Sequence, residues 1–172
     1  MLADVRKTLD KFLKAQRPTS ILTIGVDDPH LFDAYLKANP GAIVHSLAAD
    51  ELLGDTRKLP RFDLALVANT LERRDQRQAG IVIARLRDLH AQRLLVLVPI
   101  GQGWVSNRSH WEPGDLLGFG MRRLAHYRCD EGPVHLYRFD LADYKPTPEW
   151  LNPKDWANPE MWGKYPKLFD DE

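Results

Sequence analysis

The stretch ILTIGVDDPHLF, residues 21–32, puts a short apolar run before a glycine and a helix-like pattern after it. An unbroken apolar run of this length fits a strand buried on both faces. Gly25 then supplies a turn, or a close approach, that a side chain would hinder. A nucleotide-binding loop of the usual kind carries two more glycines, and Asp27 and Pro29 stand in their places. Three readings are open: a cofactor loop, an altered cofactor loop, or a plain strand-to-helix turn in which Asp27 or Asp28 caps the helix.

Upstream, Val5, Leu9, Phe12 and Leu13 share one face of a helix that Pro18 ends. Downstream, Leu31, Tyr35 and Leu36 predict a helix over 30–38, stopped by Asn39-Pro40-Gly41. AIVHSL is a second short strand, residues 50–55 are ambiguous, and LALVAN is a strand of the fully buried kind. A helix is predicted over 76–90, with Ile81, Val82, Leu86 and Leu89 as its buried stripe. RLLVLVPIG is another buried strand. Beyond Gly101 the alternation ends, and GMRRLAHYRC and VHLYRFDL form two strands around the turn residues Asp130-Glu131-Gly132-Pro133. Alternating strands and helices predict a parallel sheet, here closed by an antiparallel hairpin.

The chain has 172 residues, which suits one domain. Acidic and basic residues balance at 24 each, so no global field draws the chain to nucleic acid or to an acidic membrane. Cys129 is the single cysteine, which excludes an internal disulfide and fits a reducing compartment. The first 18 residues lack a signal-peptide core, and the longest apolar run is too short to span a bilayer. A cytoplasmic protein is the expectation.

A parallel sheet ending in an antiparallel hairpin resembles the class I S-adenosylmethionine-dependent methyltransferases, a Rossmann-like superfamily. Several segments carry the likeness in order. ILTIGVDDP sits where that family has its first strand and glycine loop. GDTRKLPRFDLALVANTLE is similar to the run from a glycine-aspartate pair into the central strand. LLVLVPIG matches the next strand, and EPGDLLGFGMRRLAHY the short helix, Gly-Phe step and strand beyond. The resemblance covers residues 20–141. It implies a three-layer α/β fold, mostly parallel with a C-terminal antiparallel hairpin. One edge strand is expected to be missing, because Leu47 and Gly54 lie too close to hold both a helix and a strand.

By the same resemblance, Gly25, Asp27, Asp55 and Asn69 would lie near the cofactor, S-adenosylmethionine, with Asp55 as the adenine-side acid. Several of the family's contacts are replaced. Thr23 stands for the acid before the first glycine, and His45-Ser46-Leu47 lacks the acid that holds the ribose, with Asp50 and Glu51 only beyond. Trp104 and His110, in a long polar-aromatic loop after a strand's carboxyl end, are substrate or partner candidates, His110 as a base. The alternative for the loop is a solvated segment with Trp104 and Trp111 packed down. Asn69 and Thr70 serve equally as caps of the next turn. No catalytic residue is singled out, and the six histidines form no metal-ligand spacing.

From residue 142 the composition shifts to a tail rich in Trp and Pro, and the domain is taken as 1–141 and the tail as 142–172. Asn-Pro-x-x-Trp occurs twice, ending at Trp156 and Trp162. These tryptophans either pack on the domain or dock a protein partner. The leading expectation is a methyltransferase-like protein whose cofactor site is degenerate and which binds a small molecule or a protein without catalysis. The alternative is an active S-adenosylmethionine-dependent methyltransferase with an atypical site.

Overall fold

The computed structural model describes residues 2–144. Residues Met1–Leu141 form one compact unit, which holds the sheet. The expectations placed on Trp156 and Trp162 lie outside the described residues.

Six strands form one sheet: β1 (Ser20–Ile24), β2 (Ile43–Leu47), β3 (Phe62–Val67), β4 (Ala91–Pro99), β5 (Arg122–Cys129) and β6 (Gly132–Asp140). Their order is β2-β1-β3-β4-β6-β5. The first four pair in parallel, and β4–β6 and β6–β5 pair antiparallel. This is the expected parallel sheet with its closing hairpin. Between β2 and β3 the chain holds only a short helix, α3 (Ala49–Leu53), so among the described residues β2 is the edge and no strand lies beyond it.

Alternate strand residues point to opposite faces, and both faces are covered. On one face Leu22, Ile24, Ala65, Val67, Leu94 and Val96 meet Leu52 of α3 and the helix α4 (Gln76–Arg85). On the other, Ile21, Leu64, Leu66, Leu95 and Leu136 meet Leu9, Phe12 and Leu13 of the N-terminal helix α1 (Leu2–Gln16) and Tyr35 of α2 (Asp33–Ala38). Two-sided burial explains why β1, β3 and β4 read as continuous apolar runs. Asp63 locks the strands together at their amino ends. It accepts from the Thr19 N–H and hydroxyl and the Ser20 N–H at 2.8, 2.7 and 3.1 Å. Burial works against its charge, but these bonds hold the carboxyl below the usual carboxylate range.

Two predicted helices differ in detail. The chain after β1 first makes turns, closed by Leu31 N–H to Asp28 O and Asp33 N–H to His30 O, and α2 begins only at Asp33. Asp28 accepts from the His30 N–H at 2.9 Å, so it caps a turn and not the helix. The predicted 76–90 helix is regular only to Arg85 and then widens into a π-helical turn, Leu86–His90. The extra residue in that turn rotates His90 inward and leaves Leu89 57% exposed. Ile81 is also exposed, because the buried stripe is Ala79, Val82, Ile83 and Leu86, at helical spacing that excludes position 81. Among the described residues no helix is long and apolar enough to cross a membrane.

Candidate functional site

At the carboxyl edge of a parallel sheet, side chains and loop backbone converge where strand order changes direction. Here that point lies between β1 and β3. Gly25 leaves β1 with φ +65°, and Asn69 leaves β3 with φ +44°. Both residues adopt the left-handed region that favours glycine and tolerates asparagine. A Cβ on Gly25 would fall inside the contact shell of the Ala68 carbonyl oxygen and the Thr70 hydroxyl. The Thr70 hydroxyl donates to Ala68 O at 2.6 Å, which fixes this close approach. Thr23 Oγ1 is likewise used internally and donates to His45 O at 3.2 Å.

Gly25, Asn69 and Thr70 form the floor of a cleft of about 560 Å³, and Ala48, Ala49 and Asp50 at the start of α3 form one side. Arg73, Arg74, Gln78 and Arg108 complete the wall. Three guanidinium groups thus face one carboxylate, that of Asp50. Arg74 donates to Asp50 at 2.7 Å, and this bond holds the Asp50 carboxyl below its ordinary value. Among the described residues neither Arg73 nor Arg108 has a carboxylate partner.

The position of Arg108 is built by the backbone. Its N–H and that of Ser109 both donate to Glu72 O, at 2.7 and 3.1 Å. Ser109 Oγ donates to Leu71 O at 2.9 Å and receives the Trp111 indole N–H at 3.0 Å. The loop after β4 is therefore stitched to the segment after β3. Trp111 is packed down, as one of the two sequence readings has it.

Glu72, inside this stitched region, is only 7% exposed, and its Oε2 has no hydrogen-bond partner. Burial pushes its carboxyl up, against smaller opposing effects of the Glu72 and Thr70 N–H groups and Arg73. A carboxyl whose folded value exceeds its unfolded one binds a proton on folding, so its stability contribution is present at low pH and is lost as pH rises through the folded value. Glu72→Gln is expected to raise the melting temperature at pH 8 and to change it little at pH 4. A gain as large at pH 4, measured by thermal denaturation, removes this account of the residue.

Gly25 and Asn69, of the four cofactor candidates, line the cleft. Asp27 touches it indirectly, accepting from Asn69 Nδ2 at 2.9 Å. Asp55 lies apart, exposed and bonded to Arg57 at 2.7 Å. Trp104 and His110 also lie off the cleft. The Trp104 indole N–H donates to Ile100 O at 3.2 Å and its ring covers Gly132 in the hairpin turn. His110 is half-buried, with Nδ1 unpartnered. Arg74 and Gln78 are wall residues that sequence reasoning passed over. Their spacing from Arg73 within one helix entry was the available signal. No group of three His, Cys, Asp or Glu residues suited to a metal occurs among the described residues.

Comparison with solved structures places the fold. The chain is similar to the methyltransferase domain of bacterial CtHen1, with a TM-score of 0.59 and 13% identity over 79% of this chain and 96% of that one. It is similar to magnesium protoporphyrin IX methyltransferase (ChlM) of Synechocystis PCC 6803, solved with bound S-adenosylhomocysteine, with a TM-score of 0.57 and 13% identity over 78% and 80% of the two chains. The mitomycin 7-O-methyltransferase MmcR aligns with a TM-score of 0.51 and 18% identity over 77% of this chain and 52% of its own. The fold is that of the class I methyltransferases. No curated protein matches the sequence. A family model described as "Family of unknown function (DUF6231)" matches residues 3–166.

Proposed function

The chain belongs to the DUF6231 family, and we propose that it is a non-catalytic binding protein whose methyltransferase-type cleft takes a small anionic molecule, bearing phosphate or carboxylate, in place of S-adenosylmethionine. The observation that carries this is the cleft wall: Arg73, Arg74 and Arg108 line it, Asp50 is the one carboxylate among the described residues that lines it with them, and Asp50 is already paired with Arg74. S-adenosylmethionine bears a sulfonium and an ammonium against one carboxylate, so it is a net cation. Two unit charges 8 Å apart at an effective dielectric of 20 interact by about 2 kcal/mol. An excess of guanidinium groups without a carboxylate partner among the described residues therefore disfavours a cation and favours an anion by energies that matter for binding. Guanidinium groups also match phosphate and carboxylate oxygens in pairs.

The methyl-transfer alternative draws on the fold alone, since ChlM was solved with the cofactor and its product. Gly25 and Asn69 are positioned at the cleft floor under either reading. Calorimetric titration separates the two. Inorganic pyrophosphate is expected to bind saturably, more weakly as salt rises. The Arg73→Gln, Arg108→Gln double variant is expected to lose affinity about tenfold or more, the worth of one charge-assisted bond. S-adenosylmethionine is expected to produce no heat and no thermal shift. Micromolar affinity for S-adenosylmethionine, with none for pyrophosphate, overturns the proposal in favour of methyl transfer.

A further inference from the structure

A second cavity, of about 700 Å³, shares Asn69 with the cleft and lies beneath the first half of α1. Leu66, Leu97 and Leu136 of three neighbouring strands and Leu9 of α1 line it. Its size falls in the range of sites that enclose small organic ligands, about 300–1,000 Å³. Apolar walls alone do not select a ligand; the polar groups at the mouth do.

Those groups are unequal. Arg6 and Asp28 satisfy one another in an ion pair, and the second Asp28 oxygen accepts the His30 N–H. Asp27 is exposed at the mouth, and only its Oδ2 is engaged, by the Asn69 side-chain amide. Its Oδ1 has no described donor. One free carboxylate oxygen at the lip of a leucine-lined cavity has a definite chemical complement.

We propose that this cavity binds a cationic amphiphile, with a primary ammonium on Asp27 and an aliphatic or aromatic body against Leu66, Leu97 and Leu136. The site is independent of the arginine cleft and has the opposite charge preference. Asn69 lines both and donates to Asp27.

The test uses the full chain and three probes of one length: n-octylamine, n-octanol and n-octanoate, each titrated while methyl resonances of leucine are followed by NMR. Octylamine is expected to bind saturably and to shift the methyls of Leu66, Leu97 and Leu136, with octanoate at least tenfold weaker. Asp27→Asn keeps an acceptor for Asn69 and removes the charge. It is expected to weaken octylamine about tenfold and leave octanol unchanged. Ala3→Trp, at an exposed position on the cavity's edge, is expected to abolish binding of octylamine and octanol while the circular dichroism spectrum is retained. Octanoate binding as tightly as octylamine, unchanged octylamine affinity in Asp27→Asn, or shifts confined to methyls elsewhere each overturns the assignment.

Discussion

Gly25→Ala is expected to lower the melting temperature by roughly 6–12 °C. Gly25 sits at φ +65°, where a side chain costs about 1–2 kcal/mol. The new methyl would also press on the Ala68 carbonyl and the Thr70 hydroxyl. Crowding of a packed site costs about 1–3 kcal/mol, and here one obstacle is backbone that cannot swing aside. The sum is about 3 kcal/mol, which for a chain of this size gives the stated fall. The glycine is therefore held in place by the protein's own packing, with no ligand required to explain it. Thr70→Ala removes one of the two obstacles, so the double variant is expected to lose less than the sum of the singles. If Gly25→Ala melts like the parent protein and only ligand affinity changes, the glycine is a ligand contact and this structural account fails.

The fold was legible because burial on both faces leaves an unmistakable trace. Runs such as ILTI, LALV and LLVLV have no polar face, and such runs alternating with helices admit few arrangements. The missing edge strand was legible for a simpler reason: residues 47–54 cannot hold it, and the structure puts β2 at the edge with only α3 after it. Helix details were less so. Whether Leu89 or His90 turns inward depends on a single π-helical turn, which the apolar pattern does not encode.

The site was half legible for a physical reason as well. Gly25 and Asn69 sit at strand ends, where topology alone brings residues together. Asp55 looked equivalent by its order in the sequence, but its charge is spent on Arg57 two residues away. The arginine wall needs three separate segments: the start of α4's approach for Arg73 and Arg74, α4 itself for Gln78, and the loop after β4 for Arg108. Only the hydrogen bonds from that loop to Glu72 O and Leu71 O bring the last of these to the cleft. Nothing in residue spacing announces bonds to backbone carbonyls.

That stitching makes Trp111 the residue on which both stability and the cleft depend. Trp111 is 1% exposed and packs in the cluster that includes Leu116 and Met121. Its indole N–H donates to the same Ser109 oxygen whose proton reaches Leu71 O. Trp111→Ala is expected to cost about 3–5 kcal/mol, because it deletes a large buried ring and leaves a cavity. The melting temperature should fall by roughly 6–20 °C, followed by far-ultraviolet circular dichroism. Trp111→Phe separates the two roles. It keeps most of the apolar volume and removes the N–H, so its cost should be nearer 1–2 kcal/mol, that of one lost buried hydrogen bond. Well below its melting point, Trp111→Phe is expected to bind pyrophosphate more weakly than the parent, because Ser109 loses the donor that orients it and Arg108 is adjacent in the chain. A parent-like melting curve for Trp111→Ala would show that the loop is not anchored through this ring. Parent-like pyrophosphate affinity in Trp111→Phe would show that Arg108 is held by the Arg108 and Ser109 N–H bonds to Glu72 O and the Ser109 hydroxyl bond to Leu71 O, which the substitution leaves in place.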